Sequence, residues 1–290
     1  EQLKNYIIEL EKIEKLIKNS NSSKKKILDF KKIFIVSIKN NQEIYQALRD
    51  KNFLQDAEKV KKISKFMFEN RKTLLIDNQC IIEKITKLIS VISTLQIKNS
   101  NKIILKLQIL KIEIKNFGLS LAKTQVRLNA NQLNNAISKE INLSGNPDDP
   151  SNKSTYLNSV SKLIEKVNPV DINFGTLIDE NMNAKRYFMV IAQMFKYIDS
   201  NQPVRFLIAE CDYALTALTA LYYARLFNLD KKIDISPLFE TEKALSNGHR
   251  VVEILVKNNH YRKYIISRGK ICIQTGFSDA GRYLGQPAAV

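Results

Sequence analysis

The stretch Ile233-Asp234-Ile235-Ser236-Pro237-Leu238-Phe239-Glu240-Thr241 decides the fold that this sequence predicts. Its apolar part, residues 233–238, is short and predicts a buried strand. The amphipathic segment 242–256 is long enough for a helix, and the apolar run 271–276 predicts a second buried strand. A strand–helix–strand unit of this size places its two strands side by side and parallel.

An acidic residue follows each of these two strands. Glu240 comes after the first strand and Asp279 after the second. Because neighbouring parallel strands end at the same edge of a sheet, the two carboxylates are expected to lie side by side, at the edge that carries the chemistry in a βα barrel. Such a pair suits a hard divalent cation. Each acid also has an alternative role: Glu240 in the first turn of a helix, and Asp279 as a helix N-cap.

The first part of the chain predicts long helices. Residues 1–117 contain no proline, and the first glycine is Gly118. Apolar side chains recur every three or four residues, at 3, 7, 10, 13 and 17 in a first helix and at 27, 30, 34 and 38 in a second. The polar stretch 19–23 separates them. Further helices are predicted over residues 43–50, 56–70, 78–97 and 103–115.

After Phe117 the pattern changes to alternating strands and helices. Strands are predicted over residues 119–126 and 204–209, a surface loop over 144–154, and helices over 129–139, 157–167, 179–197 and 214–227. Such alternation favours a parallel sheet or barrel. The predicted fold is therefore mostly α with a partial βα (TIM-like) barrel. Residues 1–116 form a helical region, and residues 117–290 form a partial barrel that is incomplete at both ends.

Composition restricts the function classes. The chain has 46 Lys+Arg and 29 Asp+Glu, a net charge of +17. This charge suits a nucleic acid or an anionic substrate, but most of it lies on the predicted helices of residues 1–117, where lysines usually form a solvated face. We therefore predict no nucleic-acid partner. Three widely spaced cysteines (Cys80, Cys211 and Cys272) indicate a reducing compartment and no structural zinc.

The ends and the hydropathy of the chain lead to two more expectations. No apolar run approaches the length of a membrane span, so no membrane partner is predicted. The chain begins with Glu and stops inside what resembles the start of a helix. We therefore expect it to be an internal piece of a longer protein.

Residues 237–241 (Pro-Leu-Phe-Glu-Thr) and 276–285 (Gly-Phe-Ser-Asp-Ala-Gly-Arg-Tyr-Leu-Gly) resemble two motifs of phosphoenolpyruvate carboxylase, P-L-F-E-T and G-Y-S-D-S-x-K-D-x-G. Their acidic residues are 39 positions apart, close to the family spacing. Between them, Tyr261-Arg262 matches a W-Y-R element in which His260 replaces the Trp. Upstream, Phe117-Gly118 followed by Arg127 is similar to the family's F-G-x-x-L-x-x-x-D-I-R-Q strand.

The resemblance implies an enzyme, a carboxy-lyase that joins bicarbonate to phosphoenolpyruvate and releases oxaloacetate and phosphate. Glu240 and Asp279 would ligate Mg²⁺ or Mn²⁺, which would hold the enolate oxygen. Arg127 would supply positive charge for the phosphate or the bicarbonate, and Arg282 stands where the family has a lysine near the bicarbonate. The family also implies a cytoplasmic homotetramer.

The sequence also departs from the family pattern. Gln125 and Leu128 replace an Asp and a Gln, Arg282 replaces the Lys, and Tyr283 replaces an acidic residue. The family's catalytic histidine belongs upstream of this segment, and its H-G-R-G-G phosphate-binding loop belongs downstream. We therefore expect these 290 residues alone to bind metal weakly and to catalyse nothing. An alternative is a family relative without catalysis that acts as a scaffold or binding protein. A third possibility is a basic helical protein whose nucleic-acid binding is sensitive to salt.

Several other residues have simpler interpretations than catalysis. His249 and His260 lie on or beside the predicted helix, so a surface or packing role is expected. Cys211 has no basic neighbour in the sequence, which argues against a nucleophile. Asp212 is expected to cap the helix 214–227 rather than to support the site. Glu210 has the same two possible roles, and Arg127 has the alternative of pairing with a surface acid.

Overall fold

The computed structural model describes residues 2–17, 21–52, 55–70, 78–94, 99–118, 124–143, 145, 149–197, 203–276, 278, 281–282 and 285. The chain divides into two compact units. One comprises Glu1–Lys123 with Gln193–Gln202, and the other comprises Thr124–Ala192 with Pro203–Val290. No helix within the described ranges is both long and apolar enough to cross a membrane.

Among its described residues, the first unit contains five helices: α1 (Gln2–Leu16), α2 (Asn21–Leu48), α3 (Ala57–Glu69), α4 (Asn78–Thr94) and α5 (Ser100–Phe117). Apolar residues at helical spacing face inward and form one core. This core contains Tyr6, Leu10, Ile13, Ile17, Ile27, Phe34, Ile81, Ile85, Leu88, Ile92, Ile103, Leu107, Leu110 and Ile114. The predicted apolar positions 10, 13, 17, 27 and 34 are thereby confirmed, and positions 3 and 7 pack against this core. Ile38 is half-buried, and the side chain of Phe30 lies outside the described residues.

The prediction of a separate helix over residues 43–50 was wrong, because α2 continues without a break to Leu48. Two asparagines in its middle have local partners that keep the helix intact. The side-chain amide of Asn41 donates to the carbonyl of Ser37 at 2.9 Å, and that of Asn40 donates to the side-chain oxygen of Asn70 at 3.3 Å. Both side-chain amides thus have a partner on or beside α2, and the backbone stays helical through Asn40 and Asn41.

The described part of the second unit contains four strands: β1 (Gln125–Asn129), β2 (Val204–Ala209), β3 (Ile233–Phe239) and β4 (Gln274–Thr275). Six helices within the described ranges connect them or flank them: α6 (Ala130–Ile141), α7 (Pro150–Lys166), α8 (Phe174–Asp179), α9 (Asn183–Tyr197), α10 (Ala214–Leu226) and α11 (Glu242–Lys257). The part of α9 from Gln193 onward is assigned to the first unit. A further helix, α12 (Asn259–Arg268), precedes β4 and was not predicted from the sequence.

All four strands are parallel and lie in the order β1-β2-β3-β4. Arg127 is in register with Leu207, which in turn is in register with Ser236. β3 is buried along its whole length, and α10, which is apolar on nearly all sides, packs against β3, α6, α7 and α11. Parallel βα units after long helices are therefore confirmed, whereas closure into a barrel stays a prediction.

Three predicted boundaries differ from the structure, two of them because polar side chains cap the helices at other residues. β1 continues to Asn129, whose side chain then caps α6 together with Gln132, and residues 119–123 of the predicted strand lie outside the described residues. The predicted loop 144–154 is shorter, since Asp149 caps α7 at Pro150. The predicted helix 179–197 begins only at Asn183, because α8 ends at Asp179 and the backbone is extended at Glu180.

The prediction of a buried strand over residues 271–276 was wrong. Only Gln274 and Thr275 pair with β3, and Ile271 and Ile273 are 40% and 43% exposed. The hydroxyl of Tyr264 on α12 accepts a hydrogen bond from the Ile235 N–H at 2.8 Å and donates one to the Ile233 carbonyl at 2.9 Å. Because this side chain occupies backbone groups of β3 that a longer β4 would need, the pairing begins only at Leu238.

Replacing Tyr264 with phenylalanine removes both of these bonds and leaves two buried backbone groups without a partner. We expect the free energy of unfolding to fall by about 2 kcal/mol, measured by urea unfolding followed by circular dichroism. Tyr45→Phe is the matched control, since that ring is exposed. Equal stability of the two variants would mean that Tyr264 does not anchor α12 to the sheet.

Candidate functional site

The carboxyl edge of the sheet brings polar side chains from three strands together. Arg127 lies on β1, Glu210 follows β2, and Glu240 follows β3. Gly276, which follows β4, donates its N–H to the carbonyl of Phe239 at 2.8 Å and so lies beside Glu240. In parallel α/β structures this edge is the usual place for a binding site.

Glu240 is the most enclosed of these side chains, with 7% of its surface exposed. Its Oε1 accepts a hydrogen bond from the backbone N–H of Glu210 at 3.0 Å and another from Nη2 of Arg127 at 3.2 Å. The same Arg127 nitrogen lies 3.3 Å from Oε2. A nearly buried carboxylate is thus held by one fixed backbone donor and one cationic side chain, as a buried charge requires.

Arg127 lies at the same site but is far more open, with 55% of its side chain exposed. It reaches Glu240 from the other side of β2, across a sequence separation of 113 residues. The expected alternative for Arg127 was a pair with a surface acid; the acid with which it pairs is instead the enclosed Glu240. Within the described part of the chain, Nε and Nη1 of Arg127 have no hydrogen-bond partner.

The other two predicted site residues are less informative. Asp279 lies outside the described residues, so its position beside Glu240 stays a prediction. Arg282 is described and exposed to solvent. The structure therefore brings together Glu240 and Arg127 out of the four residues that the sequence indicated.

The expectation that Asp212 caps α10 was wrong. Tyr213 holds the N-cap position and makes no side-chain capping bond. The carboxylate of Asp212 instead accepts a hydrogen bond from the hydroxyl of Thr241 at 2.6 Å. The Thr241 oxygen in turn accepts from the N–H of Ala244 at 3.0 Å and caps α11. Asp212 thus orients the residue next to Glu240, which was the less favoured interpretation of its sequence position.

Glu210 and Asn129 support Glu240 from the neighbouring strands. Glu210 adopts a left-handed backbone conformation (φ 54°), which is uncommon outside glycine and points its N–H at the Glu240 carboxylate. The Glu210 side chain accepts a hydrogen bond from the side-chain amide of Asn129 at 2.8 Å. Sequence reasoning missed Asn129, and its only signal was a polar residue at a strand end.

Cys211 and the two histidines have no part in this arrangement. Cys211 is buried, and burial together with the charge of Asp212 raises the pKa of its thiol to about 12, so it stays protonated at neutral pH. This agrees with the expectation that it is not a nucleophile. His249 lies on α11 and His260 on α12, as expected for residues of the connecting helices. Burial, with nearby Arg225, lowers the pKa of His260.

The donor chemistry at Glu240 fits a hard cation. Each carboxylate oxygen has two lone pairs, and Oε2 of Glu240 shares only one of them, with Arg127, among the described residues. One lone pair is thus left for Mg²⁺ or Mn²⁺, which prefer carboxylate oxygens. No group of three or more His, Cys, Asp or Glu side chains that could hold a metal occurs among the residues that the structure describes, which do not include Asp279.

Comparison with known proteins identifies the family of this chain. The family model described as phosphoenolpyruvate carboxylase matches residues 9–289, which is nearly the whole chain. No curated protein matches the chain significantly. The family model includes both the helices of the first unit and the site at the edge of the sheet, and from this match we conclude that the chain belongs to the phosphoenolpyruvate carboxylase family.

Proposed function

We propose that this chain supplies part of the active site of a phosphoenolpyruvate carboxylase, which converts phosphoenolpyruvate and bicarbonate into oxaloacetate and phosphate. The observation that carries the proposal is the enclosed carboxylate of Glu240 at the carboxyl edge of the sheet, beside the guanidinium of Arg127. One negative and one positive group at this edge match the needs of a reaction whose substrates are both anions and whose cofactor is a cation.

Glu240 and Asp279 would hold Mg²⁺ or Mn²⁺. When bound, the divalent cation supplies positive charge that stabilises a developing enolate. The role of this chain is to orient the Glu240 carboxylate that would bind the cation. The Glu210 N–H fixes Oε1 of Glu240, and the close approach of Gly276 closes one side of the Glu240 backbone. A carboxylate restrained in this way loses little rotational freedom when it takes up a cation.

Arg127 and Arg282 would hold the anionic groups of the substrates. The planar guanidinium of an arginine can donate two parallel hydrogen bonds to a phosphate or a bicarbonate. Arg127 has Nε and Nη1 available for this within the described part of the chain, and its open position lets it reach a ligand at the sheet edge. The proposed anion site is therefore next to the proposed cation site, as carboxylation requires.

The test is oxaloacetate production by the protein as the cell makes it, with bicarbonate and Mg²⁺, in wild type and in Glu240→Gln. Glutamine keeps an oxygen for the Glu210 N–H but removes the charge, so we expect turnover to fall about a thousandfold or more. Asp279→Asn is the partner variant. Glu242→Gln is the matched control, because it changes an exposed acid two residues away. Full turnover by Glu240→Gln with an unchanged fold would contradict the proposal.

The alternative is a family relative that has lost catalysis and acts as a scaffold or binding protein. The observation in its favour is that Gln125 and Leu128 stand on β1 around Arg127 in place of the family's Asp and Gln. If that alternative holds, the wild-type protein as the cell makes it will produce no oxaloacetate.

Further proposals follow from the sequence and from the family relationship. We propose a helical region over residues 1–116 and a catalytic region, part of a TIM-like barrel, over residues 117–290. We also propose a homotetramer in the cytoplasm without nucleic-acid or membrane partners. Light scattering of the purified protein tests the tetramer.

A further inference from the structure

The ion pair between Arg127 and Glu240 occupies the carboxylate that the proposed function assigns to a metal ion. Nη2 of Arg127 lies 3.2 Å from Oε1 and 3.3 Å from Oε2 of Glu240, so one nitrogen faces both oxygens. A cation that approaches the free lone pair of Oε2 therefore comes close to an existing positive charge. Two cations on one carboxylate repel each other, and the repulsion is strong where the site is shielded from water.

We propose that Arg127 is a counter-ion that a divalent cation displaces from Glu240, and that the released guanidinium then binds the anionic substrate. This inference rests on the metal role of Glu240 in the proposed function. In the absence of a metal, Arg127 neutralises the enclosed carboxylate, which would otherwise be costly to bury. When the metal takes over this neutralisation, Arg127 loses its partner.

The exposures of the two side chains decide which of them moves. Glu240 is enclosed, and its Oε1 is also held by the Glu210 N–H, so it keeps its position. Arg127 is the more exposed partner, and its only described side-chain hydrogen bonds are those to Glu240. An exposed guanidinium is well hydrated and loses little when it leaves an ion pair. The arginine is therefore the mobile member of the pair.

The displacement links the two ligands. An anion that holds Arg127 away from Glu240 makes the carboxylate available to the cation, and a cation on Glu240 makes Arg127 available to the anion. By linkage, each ligand must raise the affinity for the other by the same factor. The site would thus be filled by the cation and the anion together, in preference to either alone.

The experiment is a Mn²⁺ titration of the protein as the cell makes it, with free Mn²⁺ measured by electron paramagnetic resonance, for wild type, Arg127→Gln, Glu240→Gln and Arg205→Gln. Arg205 is the matched control, an exposed arginine at the other end of β2. We expect Arg127→Gln to bind Mn²⁺ about fivefold more tightly, since an ion pair of this kind contributes about 1 kcal/mol. Arg205→Gln should change the affinity for Mn²⁺ by less than about twofold. This variant measures the effect of losing one positive charge at a distance from Glu240.

A second arm uses sulfate as the probe anion, at ionic strength matched with NaCl. Sulfate should tighten Mn²⁺ binding in wild type and have no such effect in Arg127→Gln. Unchanged or weaker Mn²⁺ binding by Arg127→Gln, with binding still lost in Glu240→Gln, would overturn this inference alone. If Glu240→Gln binds Mn²⁺ as wild type does, the metal role of Glu240 in the proposed function fails, and this inference fails with it.

Discussion

Asp234→Ala is expected to lower the free energy of unfolding by about 3 kcal/mol. Asp234 lies near the start of β3, and only 6% of its side chain is exposed. Its Oδ1 accepts from Nε and Nη2 of Arg268 at 3.0 Å and 2.7 Å, and its Oδ2 lies 2.7 Å from Nζ of Lys270. Alanine would leave the guanidinium of Arg268, which is 15% exposed, without its carboxylate partner.

This substitution also affects how α12 is attached. Arg268 is the last residue of that helix and additionally bonds the carbonyl of Lys231. Urea unfolding followed by circular dichroism measures the loss. Glu253→Ala is the control, because Glu253 pairs with Lys257 on an exposed helix surface and should give no measurable change. Equal stability of the two variants would show that the buried pair does not hold the helix.

The pH dependence of stability provides a second measurement on Asp234. Burial alone would raise the pKa of Asp234, but hydrogen bonds from Lys270 and Arg268 outweigh it and hold the pKa below its ordinary value of 3.8. A lowered pKa in the folded state contributes stability above the unfolded-state pKa, and this stability is lost as the pH falls through the folded-state pKa. The melting temperatures of wild type and Asp234→Asn should therefore differ at neutral pH and converge below about pH 4. A difference that persists in acid would contradict this.

Gly276→Ala is expected to abolish Mn²⁺ binding and to lower the free energy of unfolding by about 2 kcal/mol. A Cβ atom on Gly276 would overlap the Cβ of Glu240 and would lie only 3.1 Å from its Cα. Backbone atoms cannot move aside as the end of a side chain can, and the Gly276 N–H is bonded to Phe239 at 2.8 Å. The contact must therefore push β4 away or turn Glu240 out of its position.

The matched control is Gly281→Ala, where an added Cβ meets no atom of the described residues within 4 Å. We expect this variant to bind Mn²⁺ and to melt as wild type does. Thermal melting measures the effect of Gly276→Ala on stability, and the Mn²⁺ titration measures its effect on metal binding. If Gly276→Ala binds Mn²⁺ normally, the close approach of β4 does not position Glu240.

Elements with a strong local pattern were predictable from the sequence. The strand Val204–Ala209 lies where it was predicted, because a short apolar run between polar residues is buried on both faces of a parallel sheet. The helix Ala214–Leu226 was predicted to within one residue, since its all-round apolar pattern suits a helix enclosed by its neighbours. Residues 271–276 had a similar apolar run, but a side chain from α12 took the backbone groups that the strand needed.

The candidate site was predictable in part. The position of Glu240 at the end of a buried strand followed from the local pattern, and so did the placement of the two histidines on helices. The contacts of Glu240 did not follow, because its partners Arg127 and Glu210 precede it by 113 and 30 residues. Such contacts depend on the strand order and on the register of β1, β2 and β3, which local periodicity does not contain.

By itself, the sequence determined the long helices, the parallel βα units and the family of this protein, because helical periodicity, short apolar runs and the motif around Glu240 are all local properties of the chain. Only the tertiary structure decided that Arg127 neutralises Glu240, that Asp212 holds Thr241, and that Tyr264 shortens β4. Each of these is a contact between different elements of the second unit. The strength of such a contact depends on burial and on distances of about 3 Å, which arise only when the sheet is assembled.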